Sequence, residues 1–124
     1  MAYKKKTKKQ ILRSKCDKLW SQVCIKQQCE VCDINASVVH HFYYKSSYGH
    51  LRYSVPNGIS LCQRHHFLLH TRDPKGIEEK IVDSRGKKWY SGLRKQAYLK
   101  PPLSFQTEKW YNDNINRLEK LVSI

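Results

Sequence analysis

Acidic side chains are scarce in this chain: 10 Asp and Glu stand against 24 Lys and Arg, for a formal net charge of +14. That surplus creates a positive field reaching about one Debye length, roughly 8–10 Å, so polyanions are the natural partners. No apolar run approaches the roughly 20 residues that a membrane span needs, so no membrane partner is expected. The opening MAYKKKTKKQ lacks the apolar stretch of a secretory signal, and a cytoplasmic location is expected. There is no internal repeat and no motif that reads bases. The five cysteines are an odd number, which argues against a disulfide framework and for a reducing compartment. Cysteines there serve as packing residues or metal ligands.

What is present fits one domain of 124 residues, 40% apolar, with a modest core of the kind that often recruits a metal. Residues 1–9 carry five lysines and read as a disordered basic arm ahead of a single domain, 10–124. Leu12, Cys16, Leu19, Trp20, Val23 and Cys24 fall at helical spacing over about 9–27. Cys16 and Cys24 lie about 12 Å apart along such a helix, too far to chelate one ion together, so both belong to its core side. The β-branched and aromatic run 37–43 predicts a strand, a polar loop follows, and Gly58–Leu61 predicts a second strand running into a helix over 62–72. Asp73-Pro74 starts another helix that Gly86 ends. Further helices are expected from Lys87 to about Leu99, stopped by Pro101-Pro102, and over 107–122, with Trp110, Tyr111, Ile115, Leu118 and Leu121 on one face. The Trp and Tyr residues after 88 are expected in the core. The fold class is α+β.

Cys29-x2-Cys32 followed by Cys62-x2-His65 supplies four ligands in two pairs. The first pair suits a tight knuckle and the second the first turn of a helix, where residues three apart share a face. Together they can close a tetrahedral structural Zn²⁺ site. Asp33 stands where glycine usually follows such a knuckle, and aspartate tolerates left-handed backbone better than most residues. His40, His41, His66 and His70 sit close to these pairs. His66 and His70 share a helix face, about 100° around the axis from His65. His50 reads as an ordinary surface histidine, and Asn57-Gly58 is a turn dipeptide on its own merits.

His40-His41, Asn57 sixteen residues on, and Leu61-Cys62-x2-His65-His66 with His70 resemble the ββα-metal motif of the HNH endonuclease family. Cys29 and Cys32 resemble its zinc knuckle, and the likeness covers about 28–70. The flanking helices are similar to those of small phage-type members, which would place the chain in a host-cell cytoplasm if phage-encoded. The resemblance implies that His41 is the general base for an attacking water and that Asn57 holds it through Nδ1–H. It implies that His40 and His66 hold the catalytic divalent ion, Mg²⁺, Mn²⁺ or Ni²⁺, with His70 an extra ligand or phosphate contact. Histidine at position 40, often aspartate in the family, shifts preference toward softer ions. The last zinc ligand is usually cysteine, so His65 or its neighbour His66 takes that position. In a regular strand His40 and His41 point to opposite faces, so both serve one phosphate only if the ribbon twists or ends there.

The function so implied is metal-dependent hydrolysis of phosphodiester bonds in DNA, double-stranded or branched, with RNA also open. Lys45, Arg52 and Arg64 are the candidate contacts to the strand, and phosphate contacts of this kind position without specifying sequence. Two alternatives stand beside it: a non-catalytic zinc module that binds nucleic acid, and a structure-specific nuclease of recombination intermediates. A phage or recombination protein is the further partner the likeness suggests.

Overall fold

The computed structural model describes residues 4–122 and shows a mixed architecture of five α-helices and one two-stranded sheet among them. The first three residues of the expected arm lie outside the described residues. The arm ends sooner than expected, because Lys8 and Lys9 already belong to helix α1, Lys8–Cys24. Thr7 Oγ1 accepts from the Gln10 amide at 3.2 Å and Gln10 Oε1 accepts from the Thr7 amide at 2.9 Å. This reciprocal capping box satisfies two of the helix's free donors and fixes its start. Cys16, Trp20 and Cys24, four residues apart, form the buried stripe of α1, as their spacing indicates.

Strand β1, Val38–His41, pairs antiparallel with β2, Gly58–Leu61, with His41 opposite Gly58 and Val38 opposite Leu61. β1 is shorter than the 37–43 run because the chain leaves the ladder after Phe42, whose amide still donates to the Asn57 carbonyl at 2.9 Å. The amide of Tyr43 turns onto the Asn57 side chain instead. The connecting loop contains two short 3-10 turns, Gly49–Leu51 and Val55–Asn57. Every residue of β2 is buried, so it packs on both faces. Gly58 is what permits this: a Cβ there would lie 2.7 Å from Cys24 Sγ, and the α1 stripe would be pushed off the strand.

Helix α2, Gln63–Thr71, follows β2 directly. Asp73 then caps α3, Pro74–Arg85, by accepting from the Gly76 amide at 3.1 Å. Gly86, at φ 98°, makes the break before α4, Lys87–Tyr98. α5 runs Glu108–Val122. One core joins α1 and α5 through Trp20, Tyr53, Tyr111, Ile115 and Leu118. A second joins β2, α2 and α3 through Ile59, Leu61, Leu69, Ile77 and Ile81. Two side chains expected in the core are not there: Tyr98 and Leu121 are exposed at the ends of their helices. There Arg94, not an apolar neighbour, covers the Tyr98 ring. Among the described residues no helix is long and apolar enough to cross a membrane.

Candidate metal centres

Two groups of metal-type side chains meet on α2. Cys62, at its N-cap, and His65 in its first turn face the loop bearing Cys29 and Cys32, and the four donor atoms lie within 4.8 Å of one another. Cys32 Sγ is 3.7 Å from Cys62 Sγ, and His65 Nδ1 is 3.3 Å from Cys62 Sγ and 3.9 Å from Cys29 Sγ. A tetrahedron with Zn–S near 2.3 Å has edges of about 3.8 Å, so this Cys3His set could hold a metal ion such as zinc. Burial raises the Cys62 thiol, but the amides of His65 and Arg64 and the thiols of Cys32 and Cys29 more than offset it, leaving it below the usual value. Cys32 is raised, first by burial and then by Cys29 and Cys62. The left-handed turn anticipated at Asp33 is absent, since no described residue other than glycine has positive φ.

The knuckle is held by Glu30, a residue that carries no sequence signal. Its buried carboxylate accepts from the Ser60 amide at 2.8 Å and from Arg85 Nε and Nη2. Arg85 Nη2 also donates to the Gly58 carbonyl at 2.8 Å, and Lys26 lies 3.5 Å from the same carboxylate. Burial alone would raise Glu30, but these partners hold it below the usual carboxylate range. One charged pair thus ties knuckle, β2 and α3 together.

His66 and His70 belong to the second group, with His40 of β1. The structure therefore separates the neighbours on α2: His65 joins the cysteines and His66 the histidines. His66 Nε2 and His70 Nε2 are 2.9 Å apart, and the His40 ring centre lies 5.7 Å and 5.1 Å from theirs. Among the described residues His40 Nε2 is the buried side-chain nitrogen without a hydrogen-bond partner, a costly condition that a ligated ion removes. Two imidazole nitrogens bound at about 2.1 Å to one ion are separated by about 3.0–3.4 Å; the His66–His70 pair is close to this, and with His40 within 4.8 Å of both the trio could hold a metal ion. Burial, followed by His70, His66 and His41, pushes His40 down to about 3, and burial, then His70, lowers His66. Both shifts favour the neutral imidazole, the form that a metal binds.

His41 lies beside this trio, and the cleft of about 560 Å³ is lined by both, with Asp17, Trp20, Lys45 and Ser46 among its other walls. β1 ends at His41, so the two histidines can face different elements yet open on one cleft. The His41 ring stacks on Trp20, 4.0 Å between centroids at 8°. Its Nε2 is 2.9 Å from the Arg52 carbonyl oxygen. A carbonyl only accepts, so Nε2 carries the proton and Nδ1 keeps the lone pair. Burial drives His41 to about 4 against the Arg52 carbonyl, which raises it, and Lys45 and the Arg52 charge add to the fall.

Two expectations require correction. Asn57 does not hold His41: fully buried, its Oδ1 accepts from the Tyr43 amide at 2.8 Å, and its Nδ2 donates to the Tyr43 and Leu51 carbonyls at 3.1 and 3.2 Å. A buried amide surrounded by backbone groups is satisfied by them, so Asn57 fixes the loop and the Arg52 carbonyl orients the ring. The Arg52 side chain is not free to grip a strand either. Its Nε and Nη2 donate to Asp17 at 3.0 and 2.9 Å, and it packs over Tyr53. Lys45 does line the cleft, whereas Arg64 is exposed on α2 outside it. His50 is satisfied by donating to the Gln96 carbonyl at 2.9 Å. Trp20, Asp17 and the Arg52 carbonyl carried no sequence signal as site groups, since helical apolar spacing explains Trp20 and a loop carbonyl has no side-chain identity. Comparison of the chain with protein-family models, with curated proteins and with solved structures found no match.

Proposed function

We propose that the chain is a metal-dependent endonuclease of the HNH type, its β1–β2–α2 unit serving as the ββα-metal centre and DNA as substrate. One observation carries this: a buried, unpartnered His40 Nε2 faces His66 and His70 beside a histidine whose tautomer is fixed. A divalent ion held there would polarise a phosphate oxygen and stabilise charge on the departing 3′ oxygen. Three imidazole nitrogens without a carboxylate favour Mn²⁺, Ni²⁺ or Zn²⁺ over Mg²⁺. His41 Nδ1 accepts the proton of a water whose oxygen bonds to phosphorus as the P–O3′ bond breaks; the departing O3′ takes a proton from solvent, leaving 5′-phosphate and 3′-hydroxyl ends. The Arg52 carbonyl and Trp20 hold that ring, and Lys45, exposed at the rim, attracts the phosphodiester.

One observation favours the non-catalytic zinc module instead: at about 4, His41 is a weak proton acceptor at neutral pH. A phosphodiester in the cleft opposes this by stabilising the imidazolium electrostatically. Plasmid nicking at low salt with Mg²⁺, Mn²⁺, Ni²⁺ or no added metal, for wild type and His41→Ala, decides between the two. The expected result is metal-dependent nicking that falls at least about 100-fold in the variant, with structural zinc retained. DNA binding without nicking under any metal would overturn the hydrolytic reading.

A further inference from the structure

Helix α1 borders two concavities. Asp17, Trp20 and Ser21 wall the histidine cleft, while Gln10, Arg13 and Ser14 line a groove of about 660 Å³ that Lys4, Lys5 and Lys6 complete. Positions 10, 13, 14, 17 and 21 recur at three- and four-residue steps, so they form one stripe of the helix. The cleft and the groove therefore open along the same side. From Ser21 back to Lys8 the axis covers about 20 Å, which is about six phosphate spacings of a DNA strand.

Charge along the stripe suits a polyanion. Its single carboxylate, Asp17, is neutralised by two hydrogen bonds from Arg52. Lys8 and Lys15 pair with Glu108 and Glu119, but no ion pair among the described residues takes up Lys4, Lys5 or Lys6. Three like charges around one concavity repel one another until an anion enters. Lysine is a point charge with no planar fork for a base edge, so it suits phosphate.

We propose that this groove binds the backbone of the same nucleic acid whose phosphodiester enters the histidine cleft, about six phosphates from the scissile one. The inference rests on the nucleic-acid reading of the cleft. α1 is then the rail between the two points: its N-terminal end holds the strand, and its middle supplies Trp20 and, through Asp17 and Arg52, the support for His41. Contacts of this kind set the strand's register without reading its sequence.

The test compares the full chain, its Lys4→Gln/Lys5→Gln/Lys6→Gln variant and a Lys87→Gln/Lys88→Gln control. The probes are labelled DNA hairpins of about 20 and about 4 base pairs, the shorter unable to span both points. Binding is measured over a range of salt with no divalent ion added beyond structural zinc. The lysine triple variant should bind the long hairpin about tenfold or more weakly, with a log–log salt slope shallower by about 2–3. Its affinity for the short hairpin should be unchanged, so the advantage of length disappears, and the control should keep that advantage. Equal losses in both variants, scaled to charge removed, would reduce the groove to net charge and overturn the proposal. So would equally tight, lysine-dependent binding to phosphatidylserine vesicles. Nicking by the same proteins separates the two readings. Length- and lysine-dependent binding without nicking retains the groove and removes the hydrolytic reading. Intact nicking with unimpaired long-hairpin binding in the triple variant removes the groove alone.

Discussion

The two ligand groups on α2 differ in what they leave unmet. His65 and His66 are neighbours in sequence, yet a helical step of about 100° sends one to a thiol cluster and the other to a histidine cleft. The Cys3His group supplies four donors, a full tetrahedral shell, and rests on a knuckle locked by Glu30 and Arg85. The histidine group supplies three donors, opens on a cleft, and contains His40 Nε2 with no partner. A complete shell suits a site that holds the fold. An incomplete shell beside a cleft suits one that binds an outside group.

The largest effect should come from breaking this asymmetry at its closed end. With zinc supplied, Cys62→Ser should abolish metal binding at the Cys3His group and, with it, remove several kcal/mol of stability, since metal binding and folding are one equilibrium in small sites of this kind. Calorimetry should then show loss or collapse of the cooperative melt. His66→Ala, on the half-buried face of the same helix, should leave the melt within a few degrees of wild type. Atomic absorption should meanwhile show metal content falling from two ions to one after saturation with Ni²⁺ or Zn²⁺. If His66→Ala melts as Cys62→Ser does, the division into a holding and a working site is wrong.

Local geometry and long-range packing were unequally legible. Cys29, Cys32, Cys62 and His65 announce themselves by spacing alone, because a knuckle and a helix turn are local geometries. The grouping of His40 with His66 and His70 came from the likeness to the HNH family, because strand alternation alone does not bring His40 to the face of α2. Supports that depend on long-range packing were not. Asn57 looked like a ring holder, and only the fold shows it enclosed by backbone groups of Tyr43 and Leu51. Arg52 looked like a phosphate contact because its partner, Asp17, lies 35 positions away on α1. Glu30, between two zinc-type cysteines, carries no signal of its own, because its partner Arg85 lies 55 positions on. Helix boundaries fell within a few residues of expectation where a cap was visible, as at Asp73 and Gly86. The expected arm shrank where the Thr7 capping box was overlooked.

Glu30 gives the next test, intermediate in size. Arg85→Ala would strand its carboxylate, only 6% exposed, with Lys26 and one amide for company. Breaking a buried pair by removing one partner typically costs about 3–5 kcal/mol. Urea unfolding should show a loss of that order, and the combined Glu30→Gln/Arg85→Met variant should recover part of it by removing the stranded charge. Metal uptake by His40, His66 and His70 should be unchanged in both. A matching loss of that uptake would mean that the knuckle and the histidine cleft are mechanically one unit.

The smallest effect separates holding from working most finely. Asp17 is 41% exposed on its side chain, so its ion pair with Arg52 contributes no more than about 1 kcal/mol to stability. Its geometric task is larger, because the Arg52 it clamps presents the carbonyl that fixes the His41 tautomer. On the proposed endonuclease reading, Asp17→Asn should keep the melt and the metal content, lower kcat about three- to tenfold through a less well-aimed base, and leave KM unchanged. The alternative outcome is equally readable in steady-state nicking of a plasmid. A fall in KM with kcat preserved would mean that the variant has released a guanidinium that then meets phosphate. Arg52 would in that case be a strand contact held in reserve by Asp17, and the support for His41 would rest on Trp20 and the loop fixed by Asn57.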